Sequence, residues 1–202
     1  MKLFKRLLFS LRMLYHYRHE LNRIYQTTPN NLKLCNIPPQ TFQQQGIEIL
    51  VLDFDGVLAS HGELYPVQEL HGWLHDCVKI FGAEQIFILS NKPLEKRIIY
   101  FNQHYPGIRY IKEVKKKPYP DGLQKIISLT KKSPKSLMLV DDRLLTGSLA
   151  ACIAKVPVTY ITKPYVCISK RPITEIFFMA LRFLERWFIY ITASLAKNNN
   201  WK

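Results

Sequence analysis

Ile47-Glu48-Ile49-Leu50-Val51-Leu52-Asp53-Phe54-Asp55-Gly56-Val57-Leu58 is the stretch on which the fold turns. From Ile47 to Leu52 it is apolar except for Glu48 and rich in β-branched residues. That pattern predicts a strand covered on both faces, as in a parallel sheet. The run stops on two carboxylates two residues apart, followed by a glycine. Side chains alternate along an extended chain, so Asp53 and Asp55 would diverge if the strand went on. A turn at Gly56 brings both to the strand's carboxyl end, where open α/β sheets bind ligands. Close carboxylates repel, and a divalent cation beside them relieves the repulsion. An acidic turn closing an ordinary strand is the plainer alternative.

The pattern repeats downstream. Glu84 to Asn91 reads as a second buried strand ending on a hydroxyl, Ser90. Pro93 to His104 follows as a helix with proline in its first turn, and Gly107 to Ile111 as a short third strand. Lys112 to Pro120 carries Lys115, Lys116 and Lys117-Pro118, either a solvated basic loop or a loop that aims one lysine. The residue before a proline is held extended, which gives Lys117 a defined exit direction. Ser136 to Arg143 is a fourth apolar run, ending on Asp141 and Asp142. Val156 to Thr162 supplies the fifth strand. Between the first two runs, Val67 to Phe81 has helical spacing. His61, His71 and His75 fall in this region, but no third ligand accompanies the pair at 71 and 75, so surface positions are expected.

The chain has 202 residues, enough for one α/β domain and terminal appendages. Its formal net charge of +14 calls for an anionic partner surface, acidic lipid or nucleic acid. Four cysteines at 35, 77, 152 and 167 form no metal-binding spacing and read as reduced thiols. Over residues 1–25, Leu3, Phe4, Leu7, Leu8, Leu11, Leu14 and Tyr15 share one helical face and basic residues hold the other. A helix of this kind lies in a membrane interface. The alternatives are a presequence or a helix packed on the domain. From Ile173 a second apolar stretch is interrupted by Arg182, Glu185 and Arg186. Its longest uncharged run, Trp187 to Ala196, is too short for a spanning helix of roughly 20 residues. An interfacial helix with Trp187 and Tyr190 at headgroup level is the expectation, and packing onto the domain or a second subunit is the alternative.

Ile49 to Leu58 resembles the first motif of the haloacid dehalogenase (HAD) superfamily. Ser90, Lys117 and the Asp141-Asp142 pair resemble its second, third and fourth, in order and at strand ends. The resemblance implies Asp53 as nucleophile, Asp55 as general acid and base, and Ser90 as a phosphoryl hydrogen-bond donor. It further implies a charge-neutralising Lys117 and Mg²⁺ held among Asp53, Asp55, Asp141 and Asp142. The intervals between motifs leave no room for a cap domain. Gly46-Ile47, Ser90-Asn91-Lys92, Lys117-Pro118 and Val140 to Thr146 further resemble the phosphatidylglycerophosphate phosphatases of bacteria and mitochondria. Three positions depart: Gly56 stands where that family usually has Asn, Asp141-Asp142 where it has Gly-Asp, and Gly147 where it has Asp. The last two can offset each other, and the metal acid stays open between Asp141 and Asp142.

The expectation is a Rossmann-like α/β HAD domain over 46–165 with a parallel sheet of about five strands. It is preceded by an interfacial helix (1–25) and a connector (26–45), and followed by a C-terminal hydrophobic segment (166–202). The implied activity is Mg²⁺-dependent hydrolysis of phosphatidylglycerophosphate through an aspartyl-phosphate, with Ser90, Asn91 and Lys117 meeting substrate. The implied setting is an anionic phospholipid membrane, at the cytoplasmic face in bacteria or the matrix face in mitochondria. An oligomer is compatible with this reading. A nucleic-acid end or protein phosphatase and a membrane scaffold with a vestigial site are the alternatives. Nucleic acid fits less well, because the N-terminal cations alternate with a continuous apolar face.

Overall fold

The computed structural model describes residues 2–198, and the side chains of residues 5–192. Five strands form one parallel sheet: β1 (Ile49–Leu52), β2 (Ile86–Ile88), β3 (Arg109–Tyr110), β4 (Leu137–Asp141) and β5 (Val158–Tyr160). Their order is β3-β2-β1-β4-β5. The chain builds outward from β1 to β3, then crosses back to lay β4 on β1's other edge. The strand order therefore reverses between β1 and β4, which in an open α/β sheet marks the crevice where ligands bind. The register sets Leu52 opposite Val140 and Ile88. Asp53 and Asp141 thus leave the sheet side by side.

Alternation along the strands produces two apolar layers. Leu50, Leu52, Ile86, Ile88, Met138 and Val140 face α2 (Pro39–Gln44), α3 (Leu70–Phe81) and α4 (Glu95–His104), meeting Phe42, Leu74 and Phe101. Ile49, Val51, Phe87, Leu137 and Leu139 face α5 (Asp121–Thr130) and α6 (Leu149–Ala154), meeting Leu123, Ile126 and Ala150. Each fully buried aliphatic or aromatic side chain contributes about 1.5–3 kcal/mol. Short connections fill the gaps between strands, so among the described residues no cap domain is inserted.

Two long helices complete the molecule: α1 (Lys2–Thr27) and α7 (Pro172–Asn198). The expected N-terminal helix is present, and it packs on the domain. Leu14 and Leu21 are buried in a third cluster with Leu144, Leu149, Tyr160 and Ile189 of α7. Leu7, Leu8, Leu11 and Tyr15 stay exposed, so the helix both packs and presents an apolar face. The side chains of Lys2, Leu3, Phe4 and Ala193 to Ala196 lie outside the described range. No described helix is long and apolar enough to cross a membrane.

Some expected boundaries shift. α3 begins at Leu70 rather than Val67. Pro93 lies ahead of α4, whose first residue is Glu95. The third motif resembled by Lys117-Pro118 has a lysine opening a helix, whereas here α5 starts at Asp121. His61 is no surface residue: its buried ring pairs with Glu175 and stacks on Phe178.

Candidate active site

The site is built where β1 and β4 end. The N–H of Asp53 makes the last rung to Val140 O at 2.9 Å, and the chain then turns. Gly56 adopts φ +90, a left-handed conformation suited to glycine, and a Cβ there would sit 2.3 Å from Asp142 Oδ2. Conformation and space both require glycine at this point.

Asp53, Asp141 and Asp142 are buried and present carboxylate oxygens within 4.8 Å of one another. Two cations enter the cluster. Lys117 Nζ lies 3.0 Å from Asp53 Oδ1 and 2.5 Å from Asp141 Oδ2. The Arg182 guanidinium of α7 donates through Nε to Asp142 Oδ2 at 2.6 Å. Asp142 Oδ1 is buried without a donor. Three hard oxygen donors, one of them orphaned, are a set that a divalent cation such as Mg²⁺ fits.

Electrostatics follow from the crowding. Burial pushes the Asp53 carboxyl up to about 8; Lys117 opposes this, while Asp141, Asp142 and Asp55 add to it. Burial likewise raises Asp141 against the pull of Lys117. Burial alone would lower the Lys117 ammonium, but Asp141 and Asp53 hold it above its ordinary value. Lys117 is therefore a fixed positive charge across the physiological range.

Asp55 departs from expectation. The Arg97 guanidinium, wholly buried on α4, grips it through Nη2 at 2.7 Å and Nη1 at 3.0 Å, and the Gly62 N–H adds a third bond. Burial pushes this carboxyl up, but Arg97 outweighs it and holds the group below its usual range. Asp55 lies outside the trio and in this state is an ionised carboxylate, ready to take a proton.

Ser90 is buried at the end of the β2 segment, and its Oγ accepts from the Lys92 N–H at 3.1 Å, leaving the hydroxyl proton to donate. Asn91, expected beside substrate, clamps the Lys117 backbone. Its Oδ1 accepts from the Lys117 N–H at 2.7 Å and its Nδ2 donates to the Lys117 carbonyl at 3.4 Å. Arg6 of α1 donates to that carbonyl at 2.6 Å. The N-terminal helix thus helps set the lysine.

Sequence reasoning missed Arg97 and Glu175, and it gave Arg182 and Glu185, which mark a helix in the family resemblance, no role in the site. Glu185 accepts from the Arg143 side chain and from the Leu144 N–H, fixing the chain that leaves β4. Their signal was spacing: 175, 182, 185 and 186 recur on one helical face. Arg97 carried no signal in its charged, irregular surroundings.

A family model described as mitochondrial PGP phosphatase matches residues 12–164, which include all the sequence-predicted site residues and stop short of α7. No curated protein and no solved structure matches the chain.

Proposed function

The chain belongs to the mitochondrial PGP phosphatase family and is a phosphoric monoester hydrolase, and on that premise we propose that it removes the terminal phosphate of phosphatidylglycerophosphate at the mitochondrial inner membrane. The observation that carries the reading is the buried meeting of Asp53, Lys117, Asp141 and Asp142 at the sheet's switch point. The uncapped approach suits a phosphate carried on a large lipid.

In the first half-reaction an Asp53 carboxylate oxygen attacks phosphorus. An O–P bond forms on Asp53 while the bond from phosphorus to the glycerol oxygen breaks. Lys117 and Ser90 bind the equatorial oxygens. Asp55 takes a proton from solvent as the substrate binds, gives it to the leaving oxygen, and then recovers one from the water that cleaves the acyl-phosphate. An arriving phosphoryl dianion opposes Arg97 and raises Asp55 toward its proton-carrying form. Asp53 and Asp142, with Asp141 beside them, would hold Mg²⁺, which when bound supplies positive charge against the developing anion. The test is phosphate release from phosphatidylglycerophosphate in mixed micelles. Release is expected with Mg²⁺ and not with chelator. Turnover of soluble phosphomonoesters alone would move the substrate assignment.

Support for the membrane comes from α7, which turns its charged face inward. Ile173 (85% exposed), Phe177, Phe183 (68%), Trp187 and Tyr190 lie outside. Leu7, Leu8, Leu11 and Tyr15 of α1 add to the apolar surface, with the exposed cations Lys5 and Arg12 on the same helix. An anionic bilayer accepts both features, at about 1 kcal/mol per well-placed cation. Replacing Phe177, Phe183 and Trp187 together by serine is expected to weaken co-sedimentation with anionic vesicles at least about tenfold. Turnover of a soluble phosphomonoester should persist. Unchanged sedimentation would remove this face from the membrane.

A further inference from the structure

The buried charges of α7 differ in how fully they are used. Glu175 accepts from the His61 N–H and from Cys167 N–H, and pairs with the His61 ring. Glu185 is met by Arg143 and by the N–H groups of Leu144 and Leu145. Arg186 donates to Tyr160 Oη and to Thr162 O. Those three are complete clamps between the helix and the domain.

Arg182 is not. It is 4% exposed, yet its Nη1 and Nη2 have no hydrogen-bond acceptor among the described residues. Nη2 lies 2.5 Å from Asp142 Oδ2 as an ion-pair contact, but Nε makes the aligned bond to that oxygen. Nη2 also stands beside the turn after β1, 3.0 Å from where a Cβ on Gly56 would be. Buried guanidinium hydrogens left unmet are costly, and a planar fork of N–H groups matches a phosphoryl oxygen pair. The charges agree. Among the described residues, Asp53, Asp141 and Asp142 form ion pairs with Lys117 and Arg182 alone. A phosphoryl dianion entering beside a divalent cation needs both.

We propose that Arg182 is a phosphate-binding residue: anchored through Nε on Asp142, it takes an oxygen of the substrate's phosphomonoester with its free Nη edge. The proposal rests on the phosphatase reading of this site, and it adds to that site a ligand from a helix beyond the matched segment.

The test is equilibrium binding of inorganic phosphate at saturating Mg²⁺ to the full chain and to Arg182→Lys. Mg²⁺ binding without phosphate and thermal melts are measured alongside. Lysine keeps the charge beside Asp142 and loses the fork. Phosphate affinity is expected to fall about 10- to 100-fold, with Mg²⁺ affinity within about twofold of wild type. Unchanged phosphate affinity in a folded variant overturns the proposal. A parallel fall in Mg²⁺ affinity also overturns it, by making Arg182 a support for the metal acid. Should the variant not fold, ¹⁵N-arginine spectra of the unaltered chain decide. The Arg182 guanidinium resonances, assigned by through-bond correlation to its backbone, shift on adding phosphate, and fixed resonances sink the idea. Phosphate binding needs no turnover. A chain that binds phosphate through Arg182 but releases none from phosphatidylglycerophosphate would defeat the substrate reading and leave this one standing.

Discussion

Asp53→Asn is expected to drop phosphate release below about 1% of wild type, because an amide oxygen cannot form the acyl-phosphate. The fold should survive and, without metal, gain stability at alkaline pH. Asp53 sits buried among Asp141, Asp142 and Asp55, and its carboxyl is pushed up to about 8 by burial. A carboxyl whose folded value lies above its unfolded one contributes stability that is full below the unfolded value. That contribution is lost as pH rises through the folded value. In chelator, the wild-type melting temperature should therefore fall between about pH 4 and about pH 8. Asp53→Asn removes the titrating group and should flatten part of that slope, leaving the share carried by Asp141, which burial also raises. Added Mg²⁺ should restore the wild type most at the upper end, because the metal binds the ionised carboxylates. Turnover above about 1% of wild type in the variant would remove Asp53 as nucleophile. An unaltered pH slope would contradict the buried clustering instead.

The parts of this molecule legible in sequence are those where one physical cause dominates. A strand covered on both faces must be apolar throughout, so β1, β2 and β4 stand out, and the acids ending β1 and β4 stand out against them. Their meeting follows from parallel register across the switch point. What was not legible depends on which surface a helix meets. Arg182, Glu185 and Arg186 interrupt an apolar run, and in isolation that reads as a weakened interfacial helix. Folded, those charges face the domain, and most of the helix's large apolar residues other than Ile189 face out. Sequence periodicity shows that a helix has two unlike faces without saying which one the domain takes. The same ambiguity covered α1, whose Leu14 and Leu21 pack inward while Leu7 and Leu8 do not. Arg97 was hidden for another reason. A single cation in α4 finds Asp55 only through tertiary contact, and no local spacing encodes it.

Gly147→Asp should be nearly as damaging as loss of the nucleophile, and Asp141→Gly should reverse it. Gly147 lies in a π-helical turn, Leu144–Ser148, and is not among the glycines with positive φ. Backbone conformation therefore admits a side chain, and space is what forbids one. A Cβ on Gly147 would lie 1.9 Å from both Cγ and Oδ2 of Asp141. The carboxylate of Asp141, 2.5 Å from Lys117 Nζ, already fills that volume. An aspartate added at 147 alone overpacks the turn and crowds a further acid against Asp53 and Asp142. Turnover is expected to fall more than about 100-fold, with a lower melting temperature. Asp141→Gly alone empties the space and deprives Lys117 of its closest partner, a loss of about 3–5 kcal/mol for a buried pair. Together the changes return one acid to one space, now from the other side of the turn. The double variant should recover to within about tenfold of wild type, a large departure from additivity. Phosphate release and melts on the two singles and the double complete the cycle. If the double is as inactive as the worse single, the two positions are not alternatives, and Asp141 acts through a geometry that position 147 cannot supply.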